Sequence, residues 1–529
     1  MRPQRTRHST WKASGSLKLL LCAFGLIAIV LPLYYLLSSM ATVDVFSVVS
    51  GRKFIRALQH SLCASLTATG VSVLIAGIIS WCVVRTKIRH KALLMTLLSL
   101  PMLIPSISHG MGLVIVLGAR GWISRALGLS GGIYGFWGIV AGSVMYSFPV
   151  AFLMLCDILA YEDGTPYEAA EVMGLSFPSR LFAITLPYLW KPLISVVFAV
   201  FTMIITDYGV PLMVGGKYIT LPVMLYQDVI GMLDFGKGSV IGAVLLLPAL
   251  IACVFDMASK ERGSENSGTS FRIRSNAARD RAARAVCLAF LTIVFLPIAS
   301  FAVLAFVTRY PIDMTISLKN VWQTLDMGML RYLKNSIVIA LVVSILGTVL
   351  ATVNAYMTVR LRTKLSGALH LMSVLTLAVP GLVLGLSYIL FFKGMPIYGT
   401  LAMMFLVNTV HFFASPYLMM YNTFGKIDMN LEDVGEAMGV SRWRIFRDVL
   451  IPQSAGTIIE MMSYFFINSM MTISAVSFLA TVANKPVALM ITQFEGQMQL
   501  ECAAFVSLVI LAVNVGMKWG LYSVKKALA

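Results

Sequence analysis

Long apolar runs, each free of the two-residue alternation of a half-buried strand, recur along the whole chain. Twelve of them approach or exceed the ~20 residues that cross a bilayer core. They lie at about 18–39, 57–84, 92–118, 135–160, 192–213, 238–258, 285–307, 335–357, 367–392, 399–424, 456–482 and 502–523. Six stand on each side of one polar segment, 259–284, which is rich in Ser, Gly, Asn and Arg and reads as a flexible basic linker. The pattern predicts an all-α polytopic membrane protein of two tandem six-helix domains. Its parts are a cytoplasmic tail (1–18), a first domain (19–258), a cytoplasmic linker (259–284) and a second domain (285–529).

Composition agrees. Of the 529 residues, 58% are hydrophobic and 12% charged, half the ~25% usual in soluble proteins. The mean hydropathy is +0.85. The first run is long and lacks a small-residue cleavage site, so it is expected to be a retained helix. The net charge of +18 would suggest nucleic acid in a soluble chain. Here topology explains it. With the N-terminus inside, the inner segments hold 28 of the 41 Lys and Arg, the bias that keeps basic loops in the cytoplasm. Both termini are therefore expected to be cytoplasmic, beside the lipid bilayer and with no nucleic-acid partner. The seven cysteines show no disulfide or metal spacing.

The two halves repeat. His60-Ser61 aligns with Asn335-Ser336, Arg85 with Arg360, and Pro105 with Pro380, all offset by 275. Further on, the offset falls to 265, because the first half has a longer outer loop around Gly121–Gly132. A parallel repeat places a pathway between two pseudo-equivalent halves.

The polar loop after the fourth span reads YEAAEVMGLSFPSRLFAITLPYLWKP. Glu168-Ala169-Ala170 is followed by Gly174 and then, thirteen residues on, by Pro187. The corresponding loop of the second half reads LEDVGEAMGVSRWRIFRDVLIPQSAG. Asp433 stands where Glu168 stands, and Gly439 and Pro452 are again thirteen apart. Small residues let a short helix approach another surface, the glycine ends it, and the proline starts or kinks the next span. An acid near the helix start suits the helix dipole. The segment resembles the EAA loop of binding-protein-dependent ABC importer permeases. The first copy fits that pattern throughout. The second keeps the acid, Gly and Pro but has Val434-Gly435 in place of the alanines.

The resemblance covers nearly the whole chain after the tail. It implies that the two loop helices dock into a homodimeric ATPase, which binds the ATP and magnesium. No cofactor is then expected in this chain, nor any enzyme activity of its own. It also implies a periplasmic or lipid-anchored binding protein and a bacterial inner-membrane location. The fused double permease looks like the subgroup serving ferric iron, thiamine and 2-aminoethylphosphonate. The stretch from Thr206 to Ile251 looks closest to the phosphonate members, so the expected substrate is 2-aminoethylphosphonate or another phosphonate; Met471–Leu479 is similar to the ferric iron members, which makes ferric iron the alternative.

Other features weigh less. Gly231 to Gly238 nearly matches a phosphate-binding loop, but Gly238 replaces the hydroxyl residue that would hold magnesium. Asp207 lies about 24 Å along the fifth span, where an acid is either functional or paired, for example with Lys217. Thr472 holds the equivalent place, and both are candidate pathway residues. Glu460, Asn335, Asn354, Asn468 and His411 read as interhelical hydrogen bonders, and the paired methionines as adaptable packing. A competing class is a twelve-helix, ion-coupled secondary transporter. It would place coupling acids in the spans and has no reason to repeat the EAA loop.

Overall fold

The computed structural model describes residues 4–128, 131–259, 271, 273, 276–361, 363–428 and 430–528. The protein is an all-α polytopic membrane protein. Its helices are α1 (Gly15–Thr42), α2 (Arg52–Arg85), α3 (Lys91–Leu103), α4 (Ser106–Leu117), α5 (Phe136–Ala160), a short α6 (Thr165–Val172), α7 (Pro178–Ile205) and α8 (Phe235–Ser259). In the second half follow α9 (Ala277–Ala305), α10 (Met329–Val359), α11 (Leu365–Ala378), α12 (Gly381–Phe392), α13 (Leu401–His411), α14 (Ala414–Lys426), a short α15 (Leu431–Ala437), α16 (Ala455–Met471) and α17 (Leu500–Ala527). Two short strands, β1 (Val307–Arg309) and β2 (Asp313–Ile316), form an antiparallel hairpin after α9.

Each of the twelve expected segments overlaps a helix or a bent helix pair. Among the described residues seven helices are long and apolar enough to cross a membrane alone, and ten spans result if each bent pair counts as one. Three spans are broken: α3 and α4 meet at 99°, α11 and α12 at 112°, and α13 and α14 at 52°. Continuous helices were expected over 92–118 and 367–392, and proline is the reason they are not. The residue before a proline is pushed out of the helical region. Ile104 and Val379 are accordingly extended, and Pro105 and Pro380 open the next arm with nearly identical angles (φ −57°, ψ 149° and φ −58°, ψ 143°). Other boundaries shift as well. The helix of the fifth span starts at Pro178 and stops at Ile205, before Asp207. That of the eleventh stops at Met471. Much of the expected linker lies outside the described residues, but Ala277–Arg284 opens α9, capped by the Asn276 side chain.

The halves interlock. Helix α1 packs on α11 and α12 of the second half, and α9 packs on α2 and α4 of the first. The Tyr388 hydroxyl donates to the Ala28 carbonyl at 2.7 Å. Buried Lys18 donates to Thr363 Oγ1 (2.9 Å), Ser366 Oγ (3.1 Å) and the Leu361 carbonyl.

Pseudo-equivalent contacts pack the centre. Ser106 lies against Gly209, and Gly381 lies against Ser474, so the small residue changes sides between halves. A Cβ on Gly110 would stand 3.4 Å from the Val210 carbonyl, and one on Gly385 would stand 2.7 Å from the Ala475 carbonyl. Backbone cannot yield as a side chain can. Gly385→Val is therefore expected to cost about 1–3 kcal/mol and to lower the thermal unfolding midpoint of the purified protein in detergent. An unchanged midpoint would show that this contact is not tight.

Candidate functional site

The EAA loop and its counterpart fold alike. Helix α6 ends with Leu175 N–H donating to the Ala170 carbonyl at 2.9 Å and Gly174 at φ +69°. Helix α15 ends with Val440 N–H donating to the Gly435 carbonyl at 2.8 Å and Gly439 at φ +76°. Glycine enters that left-handed conformation without penalty, which is why it closes both helices. Beyond each helix the chain makes one wide turn, Leu186 N–H to the Leu181 carbonyl and Ile451 N–H to the Phe446 carbonyl. Pro187 and Pro452 sit just after these turns, where a missing N–H is absorbed by the wider spacing. Pro187 therefore lies inside a helix that began at Pro178, not at its start.

Glu168, Ala169, Asp433, both glycines and both prolines are exposed, while Ala170 is buried. The tips are apolar and open: Val172 is 90% exposed, and Met173 and Met438 are 75% exposed each. Val434-Gly435 also has a local cause. A methyl at Gly435 would collide with Ile445. In the first half that position is Arg180, whose Nε–H donates to the Leu175 carbonyl at 2.7 Å, and an alanine fits.

Two arginines grip these loops from the ends of α2 and α10. Buried Arg360 donates Nε–H and Nη2–H to the two Glu432 oxygens at 2.7 and 2.5 Å. It also donates to the Ile427 and Asp428 carbonyls, both at 2.8 Å. Glu432 is the second residue of α15, so the long helix holds the loop helix through an ion pair. In the first half buried Arg85 pairs with Glu162, which accepts from the Tyr167 hydroxyl of α6 at 2.6 Å. Phe271, within the expected linker, lies 3.8 Å from the Arg85 guanidinium, face on. Burial pushes the Glu162 carboxyl above the usual range, only partly offset by Tyr167 and Arg85. The sequence offset of 275 marked the two arginines only as repeat partners. A charge closing a long apolar run was the signal that they do more.

The candidate pathway residues sit where the halves meet. Asp207 follows α7, and Thr472 follows α16. Asp207 does not pair with Lys217; its oxygens accept from Gly209 N–H (3.3 Å) and Val210 N–H (3.0 Å). Thr472 is buried, with its N–H donating to the Asn468 carbonyl at 3.0 Å. The two segments touch through Gly209 and Ile473, and Tyr208 Oη shares a hydrogen bond with Ser477 Oγ at 2.8 Å. Asn335 and Asn354 join neighbouring segments, as expected. Glu460 pairs with Lys525.

Residues 68–258 and 355–528 each match the family described as the binding-protein-dependent transport system inner membrane component. The chain belongs to this family. It is a multi-pass inner-membrane permease subunit of an ABC importer, and membership implies a substrate-binding protein and an ATPase as partners. A ferric transport system permease protein of Actinobacillus pleuropneumoniae is 24% identical over 481 residues, 87% of this chain and 69% of that one. A Haemophilus influenzae protein named for a ferric transport system is also 24% identical, over 87% of this chain and 76% of its own. A molybdenum transport permease of Azotobacter vinelandii is 29% identical over 174 residues, 31% of this chain and 76% of that one. The family match sets aside the ion-coupled secondary transporter.

Proposed function

We propose that this ABC permease carries ferric iron. The observation that carries the reading is the pair of ferric permeases aligned over 87% of the chain, whereas the molybdenum relative aligns over only a third. These relatives favour the ferric alternative over 2-aminoethylphosphonate. The centre favours it too, since a phosphonate is an anion and the acid there is Asp207. The domains of this reading run 19–258 and 285–529 around the linker 259–284, with the helix that enters the second domain opening at Ala277, inside that linker. Both termini face the cytoplasm, as the basic-residue bias supports. The loop helices, through Glu168, Ala169, Ala170, Gly174 and Pro187 and through Asp433, Gly439 and Pro452, dock on a homodimeric ATPase that binds ATP and magnesium and hydrolyses the ATP. Arg85 and Arg360 pass the movement of the loop helices to α2 and α10. Asp207 and Thr472 border the pathway, which opens alternately to each side.

The test is reconstitution in proteoliposomes with the partner ATPase and binding protein. ATP-dependent uptake of radioactive iron from ferric citrate is expected, with none of 2-aminoethylphosphonate. The reverse result would sink the ferric reading.

A further inference from the structure

Lys18 is a charged residue near the start of the apolar helix α1, and it is only 1% exposed. Among the described residues its ammonium meets neutral acceptors and no carboxylate: the Leu361 carbonyl, Thr363 Oγ1 and Ser366 Oγ. A buried charge held in this way is costly. Anchoring α1 does not require it. Leu21, Ala28, Ile29 and Leu36 already bury the same helix, and the Tyr388 hydroxyl holds it at Ala28.

The place of the contact supplies the reason. Arg360 closes α10 and Leu361 follows it, while Thr363 and Ser366 form the capping box that opens α11. Lys18 of the first half thus grips the second half one residue beyond the arginine that holds α15. A cation also suits the negative end of α10. One short segment is therefore tied to α15 through Arg360 and to α1 through Lys18.

The other half makes the matching contact with opposite polarity. Asp280, near the start of α9, accepts from the Lys87 N–H at 3.3 Å, two residues beyond Arg85. Each half thus sends its first helix to the backbone that follows the other half's arginine. Lys18 and Asp280 are not repeat partners, since offsets of 275 and 265 carry Lys18 to Ile293 and Ala283. Unrelated residues making the same contact mark the contact itself as what is needed.

We propose that Lys18 is a positioning residue of the Arg360–Glu432 clamp. It fixes the segment from which Arg360 reaches, so movement of α15 passes to α1 as well as to α10, and hence from the second half to the first. The inference rests on the loop helices docking on the ATPase and is independent of the cargo.

The test is the amount of cargo moved per ATP hydrolysed by importer reconstituted with its ATPase and binding protein. Radioactive ferric citrate is the probe, or 2-aminoethylphosphonate if that is what the importer carries. Lys18→Met keeps an apolar stem of similar length and removes the ammonium. Import per ATP is expected to fall about tenfold, the scale on which positions along a coupling route act. Lys18→Gln keeps a donor for the Leu361 carbonyl and should fall less; it decides the matter if the methionine variant does not fold. Tyr388→Phe removes a hydrogen bond between α1 and the second half ten residues further along α1, away from the clamp, and should leave import per ATP unchanged. A merely structural role for Lys18 would reduce the number of working importers and not this ratio. A wild-type ratio in the Lys18 variants, or an equal fall in Tyr388→Phe, would overturn the proposal and leave ATPase docking standing. Copurification of the ATPase with a chain carrying valine at both Gly174 and Gly439 would instead overturn the docking reading beneath it.

Discussion

Arg360→Ala is expected to abolish ATP-driven uptake and to destabilise the protein by about 3–5 kcal/mol, the cost of leaving a buried charge without its partner. The size follows from what the guanidinium does. It meets both Glu432 oxygens and the Phe424, Ile427 and Asp428 carbonyls, so these acceptors lose their donor at once. Arg360→Lys supplies one amine where a planar fork is needed and should fall between the two. The double variant Arg360→Met, Glu432→Leu removes the orphaned charge. It should recover much of the thermal stability, since a buried ion pair replaced by apolar groups is often neutral. Recovery stays partial, because the Ile427 and Asp428 carbonyls remain unmet. Uptake should not recover, because α10 then has no ionic hold on α15. Thermal unfolding and uptake by reconstituted importer separate the two roles. If Arg360→Ala left both unchanged, neither the clamp nor its part in coupling would stand.

The first clamp is built differently, and the difference is physical. Glu162 lies before the loop helix rather than inside it, and reaches that helix through the Tyr167 hydroxyl. Arg85 gains the face of Phe271 where Arg360 gains three carbonyls. Tyr167 occupies the place that Glu432 holds at an offset of 265. The halves thus solve one mechanical problem with different donors. Fusion makes that inequality permanent, since the same two loops are paired in every molecule.

Much of this was legible in the chain. Apolar run length located the apolar helices and bent pairs in order along the chain, because a bilayer demands about 20 apolar residues whatever packs beside them. The Gly-to-Pro spacing of thirteen found both loop helices, because a left-handed cap and a missing N–H are local requirements. What stayed hidden depends on distant partners. Pro105 and Pro380 aligned in the repeat, yet a proline within a span reads equally as a kink or as a break. The bend follows from where α4 and α12 pack. Arg85 and Arg360 were visible only as repeat markers, because Glu162 and Glu432 lie more than seventy residues away. Val434-Gly435 looked like a loss from the motif, and only Ile445 explains it.

Replacing Gly174 and Gly439 together with valine is expected to detach the ATPase while leaving the membrane domain folded. Open space surrounds both positions, so added side chains would strike nothing. The cost lies in the backbone, at φ +69° and +76°, where a residue with a Cβ loses about 1–2 kcal/mol. A β-branched residue is among the least suited to that region. The chain can escape by opening the turn, which breaks the Leu175–Ala170 and Val440–Gly435 hydrogen bonds and moves Met173 and Met438 off the exposed tips. Two such penalties, about 2–4 kcal/mol together, correspond to a loss of docking affinity between tenfold and a thousandfold. Neither turn belongs to the membrane core, so the unfolding midpoint should barely change. Gly174→Asn with Gly439→Asn is the discriminating control. Asparagine enters the left-handed region more readily than other residues, and its side chain has the same open space. That pair should retain most of the ATPase on copurification in mild detergent, and most of the uptake. If the asparagine pair failed as badly as the valine pair, side-chain bulk at the interface would be the cause. If the valine pair still copurified with the ATPase, the two capped helices would not be its docking elements.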